Sequence, residues 1–191
     1  MKRSIGFLLL LLSIAVHGQG GYQSVYLKVR GRYAKDSETI WRNAYGSREK
    51  RIFRSMVLDI KVKNTQQKRG RFTMEWFFFA KVLSGKRRWI YDHGSEAFEL
   101  TGGQTVRFHK LSRPVESREE QYYTYYRNLW STYKKGIKVK GYIVWIKGEN
   151  GAVLQSSASS RDLEELARRP QEVLGMIEEL ESEIRKSCVK V

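Results

Sequence analysis

A repeat of two residues, in which apolar side chains alternate with polar ones, constrains the fold of this chain more than any other sequence feature. In residues 22–33, Val25, Leu27 and Val29 are apolar, whereas the side chains between them carry a hydroxyl group or a charge. Residues 52–63 repeat this pattern. Because successive side chains of a β-strand point to opposite faces, the alternation is typical of strands with one buried face.

One strand candidate, at residues 71–83, is apolar on both faces, since Phe77 and Phe79 stand between the members of another apolar row. A strand without a polar face is usually central in its sheet or covered by another element. Further along the chain, Asn150 and Gly151 separate two alternating runs. This dipeptide is a strong hairpin signal, because a type I′ turn needs positive φ at both of its central residues.

These patterns predict a mainly β fold, an Ig-like antiparallel β-sandwich. No helical pattern of useful length separates the strands, which argues against a parallel α/β sheet. Shorter strands are expected at residues 88–91, 96–100, 104–111, 137–147 and 152–159. The expected core comprises Met56, Leu58, Ile60, Val62, Phe72, Met74, Trp76, Phe78, Val139, Ile143 and Trp145.

The C-terminal residues 161–191 change to a helical period, which predicts an amphipathic helical appendage. Ser159 or Ser160 can cap the first helix, and Pro170 suits the first turn of a second. The second helix either packs back on the sandwich or mediates self-association. The lone Cys188 is either a reduced thiol or a link between chains. The apolar stripe of this helix consists of Val173, Ile177, Leu180, Ile184 and Cys188.

The N-terminal residues 1–18 have the layout of a secretory signal peptide. Lys2 and Arg3 precede an uncharged apolar run at residues 4–16. As a helix this run would span about 20 Å, which is shorter than the hydrocarbon core of a bilayer. The alternative is an uncleaved anchor. We therefore expect export to the periplasm, the cell surface or the medium, no integral membrane span after cleavage, and a sandwich domain at residues 19–160.

The chain carries 36 Lys and Arg residues against 20 Asp and Glu residues, a net charge of +16. The surplus lies entirely within residues 19–160 of the predicted mature chain, and such a surplus favours polyanionic partners. Basic side chains beside aromatic ones can hold phosphates, sulfates or sugars. If the cations converge on one face they form a polyanion site, whereas scattered cations only keep the surface soluble.

Catalytic signals are weak, and we expect no enzymatic activity, no cofactor and no metal. His93 and His109 are the histidines that follow the predicted signal peptide, and they lie on different segments. The sequence contains no HExxH, CxxC or GxSxG motif.

Residues 121–133 hold six aromatic side chains and form either a partner surface or an edge strand or connection that covers the sheet. The candidate binding residues are Lys86, Arg87, Arg88, Trp89, Tyr122, Tyr123, Tyr125, Tyr126, Arg127 and Trp130.

Three segments, at residues 57–66, 76–81 and 141–159, resemble small exported bacterial Ig-like domains of the FxLYD type. The resemblance covers about residues 52–160 and departs from the family pattern in the tyrosine-rich segment and the C-terminal helices. It implies a β-sandwich without catalytic residues, and by analogy of fold a role in envelope assemblies. We therefore expect a cell-envelope module with an envelope or surface protein partner, such as one in a pilus-like assembly. The alternative is a domain that binds a polyanion: an acidic glycan, a lipid head group or a nucleic acid.

Overall fold

The computed structural model describes residues 24–40, 47–124 and 129–178. The predicted signal peptide, Tyr125, Tyr126, Arg127 and Cys188 lie outside these residues. Eight strands are followed by helix α1, Arg161–Ala167, and residues 170–178 are also helical (α2). The strands are β1 (Val25–Ile40), β2 (Ser47–Asn64), β3 (Gly70–Val82), β4 (Arg88–Leu100), β5 (Thr105–Leu111), β6 (Val115–Thr124), β7 (Leu129–Lys147) and β8 (Val153–Ala158).

All strand pairs are antiparallel, and they form two sheets that share β7. In the first sheet, β2 pairs with the whole of β1 through residues 49–64. It also pairs with β6 through residues 47–54 and with β5 through residues 57–63. In the second sheet, β3 lies between β4 and β7, and β8 follows β7. The prediction of a mainly β antiparallel sandwich with C-terminal helices is confirmed.

Strand β7 passes from one sheet to the other at Gly136. Its residues up to Gly136 pair with β6, and its residues from Ile137 onward pair with β3. Gly136 has φ +109°, a conformation that side-chain-bearing residues rarely adopt. The irregular backbone at this glycine therefore marks the change of sheet.

The main core lies between the two sheets and is built from the alternating rows that the sequence predicts. The buried side chains include Met56, Leu58, Ile60 and Val62 from β2, Phe72, Met74 and Phe78 from β3, and Val139, Val144 and Ile146 from β7. Trp76 packs against this cluster but is only partly buried.

A second core forms where the two helices cover the outer face of the second sheet. Phe77 and Phe79 pack there with Leu163 and Val173, and the indole Nε1 of Trp145 donates a hydrogen bond to the carbonyl of Ala167 at 3.2 Å. The predicted need for a covering element over residues 71–83 is confirmed, and the described part of the tail packs back on the sandwich. The predicted burial of Ile143 and Trp145 is confirmed, and both belong to this second core rather than to the main one.

Two predicted short strands, at residues 88–91 and 96–100, are one continuous strand, β4. Gly94 does not interrupt it, because it pairs with Trp76 and leaves room for the indole ring. A Cβ atom at position 94 would lie 2.4 Å from the indole. This glycine therefore serves a close approach of side chain to backbone rather than a turn.

Four strand segments of the first sheet, at residues 35–40, 47–54, 115–124 and 129–136, extend past the point where β7 leaves for the second sheet. We call this extension the arm. The described residues of the tyrosine-rich segment, 121–124 and 129–133, lie in the paired β6 and β7 strands of the arm, where no other described strand pairs with β7. None of the helices that the structure describes is long and apolar enough to cross a membrane.

Candidate functional site: a basic face on the first sheet

Strands β1, β2 and β5 lie side by side, and their outward side chains form a strongly cationic surface. The register places Lys28 of β1 opposite Lys61 of β2, and Lys61 opposite Arg107 of β5. These side chains point outward because the residues between them on β1 and β2 are buried in the main core. The basic face comprises Tyr26, Lys28, Arg30, Arg32, Asp59, Lys61, Lys63, Arg107 and His109.

The cations of the basic face form a regular array. Neighbouring strands lie about 4.8 Å apart, and successive outward residues of one strand are separated by about 6.8 Å. Among the outward residues of segments 26–32, 57–63 and 105–111, six Lys or Arg side chains accompany one carboxylate, that of Asp59. Asp59 is engaged, since its Oδ1 lies 2.6 Å from Nδ1 of His109 and its Oδ2 lies 3.7 Å from Nε of Arg32.

This array costs stability, because like charges placed directly opposite each other across a sheet repel. The row Lys28–Lys61–Arg107 has two such contacts. On the outward side of the arm, Arg51 also lies opposite Arg118, but the charges alternate along β2 and β6, so that Arg51 and Arg118 each contact both Glu49 and Glu116. The chain thus pairs opposite charges on one part of the first sheet and leaves cations together on the other.

The basic face includes a groove of about 500 Å³, whose lining holds four cations and one carboxylate: Tyr26, Lys28, Arg30, Asp59, Ile60, Lys61, Arg107, Phe108 and His109. Its lining is suited to anions, since Lys supplies a compact charge and Arg a planar fork that can hold a phosphate or sulfate in two hydrogen bonds. No group of three or more His, Cys, Asp or Glu side chains that could hold a metal occurs within the described ranges. The expectation of no metal stays a prediction.

The first set of predicted binding residues lies at the β3–β4 end of the second sheet, beside the helices, rather than on the basic face. Lys86 and Arg87 occupy the turn between β3 and β4. Nη1 of Arg88 lies 3.5 Å from a carboxylate oxygen of Asp162 in α1, and Trp89 lines a pocket against α2. Arg88 and Trp89 therefore help to seat the helices.

The described members of the second set, Tyr122, Tyr123 and Trp130, lie at the far end of the arm, on both of its sides. The Tyr122 hydroxyl donates a hydrogen bond to Glu120 at 2.6 Å, which raises the pKa of this tyrosine. Hydrogen bonds from Lys135 and Tyr122 lower the pKa of Glu120. On the opposite side, the rings of Tyr123 and Trp130 are 5.2 Å apart.

The structure does not bring the described members of the two predicted sets together. The β3–β4 turn is joined to the base of the arm by a hydrogen bond from the Leu83 amide to the Gly136 carbonyl. Tyr122 pairs with Ser131, five residues farther along β7, or about 17 Å along a strand.

Sequence clusters of basic residues were a poor guide to this surface. Consecutive residues such as Lys86, Arg87 and Arg88 cannot all lie on one face of a strand, whereas residues spaced by two do. Lys61 and Lys63 have that spacing, as does the run Lys28, Arg30 and Arg32 in β1. This spacing is the signal that could have identified the basic face.

Comparisons with known proteins do not assign a family. No family model matches the chain, and no curated protein matches it. A β-D-glucoside glucohydrolase from Trichoderma reesei is similar at 12% identity and a TM-score of 0.30, over 71% of this chain and 19% of that one. A β-glucosidase from Bifidobacterium adolescentis is similar at 13% identity and a TM-score of 0.28, over 68% and 17%.

A structural-genomics target is similar at 13% identity and a TM-score of 0.32, over 72% of this chain and 87% of that one. The chain spans 13% to 19% of the glycosidase chains it matches. Similarities at this level of identity and TM-score are not evidence of catalytic activity in this chain, and they support no argument about its function. The resemblance to FxLYD-type domains and the absence of enzymatic activity stay predictions.

Proposed function

We propose that the chain is a non-catalytic module that binds polyanions through the basic face. The observation that supports this proposal is the in-register row Lys28–Lys61–Arg107, flanked by Arg30 and Lys63. Since this arrangement destabilises the sheet, a gain outside folding accounts for it best. A bound polyanion supplies that gain by neutralising the row.

The ligand chemistry is a chain of phosphates, sulfates or carboxylates. Each anion that contacts a lysine or arginine releases condensed counterions. The logarithm of the binding constant therefore falls linearly with the logarithm of the salt concentration. Acidic glycans, nucleic acids and anionic lipid head groups share this chemistry. Retention on immobilised heparin, on single-stranded DNA and on anionic vesicles separates the three sources.

Two matched double variants test the proposal. Arg30→Gln with Arg107→Gln removes two charges from the basic face, and Arg161→Gln with Arg168→Gln removes two from the exposed surface of the helical region. We expect the first variant to elute from heparin at clearly lower salt, with a salt slope smaller by about 1 to 2. The second variant should elute close to the wild type.

Equal elution of the two double variants would show that net charge alone drives retention and would reject the basic face as the site. Retention that does not weaken with salt would reject polyanion binding altogether. A thermal melt of each variant separates loss of binding from loss of folding.

A second candidate, a cell-envelope protein-interaction module, is favoured by the exposed aromatic side chains of the arm. Tyr122, Trp130 and Tyr133 are 44%, 45% and 63% exposed, and aromatic side chains are enriched at protein interfaces. If the chain is exported as its N-terminal sequence predicts, cross-linking from position 133 in intact cells should recover a partner. Tyr122→Ser with Trp130→Ser, which leaves the cross-linking position intact, should abolish that product, and its persistence would count against the arm as the interface.

A further inference from the structure

We propose that the free edge of β1 binds an extended peptide whose residues alternate between acidic and apolar. The peptide would add a strand to the first sheet beside β1. This inference shares cations with the proposed function but requires backbone pairing, which polyanion binding does not.

Strand β1 is a long edge with unsatisfied pairing capacity. All 16 of its residues pair with β2 in one unbroken register. Within the part of the chain that the structure describes, no strand is hydrogen-bonded to its other side, and β8 of the second sheet comes close to β1 without pairing with it. In an antiparallel pair, alternate residues direct their N–H and C=O groups away from the partner strand. Edges of this length are usually shortened, bulged, interrupted by proline or protected by charged side chains. Strand β1 has no bulge and no proline, but it carries the charges of Lys28, Arg30 and Arg32.

The outward row of β1 sets the charge of the partner. Lys28, Arg30 and Arg32 are exposed on this row and are separated by about 6.8 Å. A strand added beside β1 would place every second residue on the same face, directly opposite these cations. Opposite charges at such positions stabilise a strand pair, whereas like charges destabilise it. The partner therefore carries acidic residues at alternate positions.

The inward-facing row of β1 determines which residues the peptide carries between its acidic ones. Leu27 is buried and Val29 is half-buried against the main core, whereas Tyr33, toward the arm, is 60% exposed. The inward side chains of an added strand would lie beside this row and cover its exposed part. Apolar residues at these positions would remove apolar surface from water.

A second copy of β1 does not fit this edge. Antiparallel pairing of two β1 strands on the same face would bring the cationic rows of both copies together. The resulting like-charge contacts oppose the pairing. The charges on this edge therefore disfavour pairing with a second β1 strand and favour pairing with an acidic strand.

Two peptides of equal composition test strand addition. The alternating peptide VEVEVEV should bind, and the clustered peptide VVEEEVV should bind about tenfold more weakly, because only the first presents all its carboxylates on one face. Binding of the alternating peptide should slow hydrogen exchange of β1 amides that face away from β2. Fluorescence anisotropy and exchange measured by NMR give the two readouts.

A charge exchange gives an independent check. The variant Lys28→Glu with Arg30→Glu should bind VEVEVEV about tenfold more weakly and should acquire binding of VKVKVKV. The control, Arg161→Glu with Arg168→Glu, should retain the wild-type preference. Gain of a new partner cannot result from misfolding.

Equal binding of the two acidic peptides without protection of β1 amides would overturn strand addition while leaving the proposed polyanion site intact. Absence of peptide binding by a protein that still shows salt-sensitive heparin retention would have the same meaning. Peptide binding by a protein without heparin retention would instead reject the proposed function alone.

Discussion

At the scale of single residues, Lys61 is the centre of the electrostatic cost on the basic face. It is the one member of its row with a cation on each side, Lys28 on β1 and Arg107 on β5. A carboxylate at this position would turn two repulsive contacts into two attractive ones. Stability and binding therefore make opposite demands on this residue, as is common for functional surfaces.

We predict that Lys61→Glu raises the free energy of unfolding by about 0.5–1 kcal/mol and lowers the salt concentration of elution from heparin. Urea unfolding and heparin chromatography measure the two effects. Lys61→Gln, which removes the repulsion without adding attraction, should fall between the wild type and Lys61→Glu in both. A Lys61→Glu protein less stable than wild type would contradict the assigned repulsion.

The sequence predicts which residues of each strand in the basic face point outward, but it does not predict that these strands lie side by side and form one surface. The alternation in β1 and β2 correctly predicts that Lys28 and Lys61 are outward. The pairing of β5 with β2, which adds Arg107 to the row, joins residues 46 positions apart (107 minus 61). Such long-range register depends on how all strands pack together and leaves no local pattern.

At the scale of secondary-structure elements, the two helices complete the burial of the second sheet. Trp145 illustrates this role, because its side chain is fully buried, contacts the ring of Phe77 edge-on at 4.9 Å and is hydrogen-bonded to α1. Removing the indole would leave a cavity between sheet and helices and an unpaired carbonyl at Ala167.

We predict that Trp145→Ala lowers the free energy of unfolding by about 3–5 kcal/mol. The matched control is Trp130→Ala in the arm, where the side chain is nearly half exposed and the cost should stay below about 1 kcal/mol. Urea unfolding followed by circular dichroism compares the two variants. Similar costs for both would contradict the assignment of the second core.

Elements with an apolar row were predictable, and the arm was not. In β2, residues 47–51 read SREKR, and in β6, residues 116–121 read ESREEQ. Neither stretch has an apolar face, so hydrophobic periodicity does not mark it as a strand. Ion pairs between strands, such as the contacts of Arg118 with Glu49 and Glu116, support the arm, and these depend on partners distant in sequence.

At the scale of the whole molecule, the two sheets differ in how much of their surface is covered by other elements. The second sheet has the first sheet on one face and the helices on its other, whereas the outward face of the first sheet carries the basic face. The sequence predicts the layers because each has an apolar pattern that must be buried. The sequence does not decide whether the cations are scattered or converge on one surface, because their arrangement depends on the order of the strands in the sheet.

Strand β7 also gives the molecule a mechanical axis. One continuous stretch of 19 residues runs from the arm into the layer beneath the helices. The hydrogen bonds of antiparallel strands are perpendicular to the chain direction, so a pull applied at the tip of the arm along β7 would load its bonds to β6 and β3 in shear. Bonds loaded in this way give way together rather than one after another, and tension from a protein partner held at the arm would reach the Trp145 layer directly.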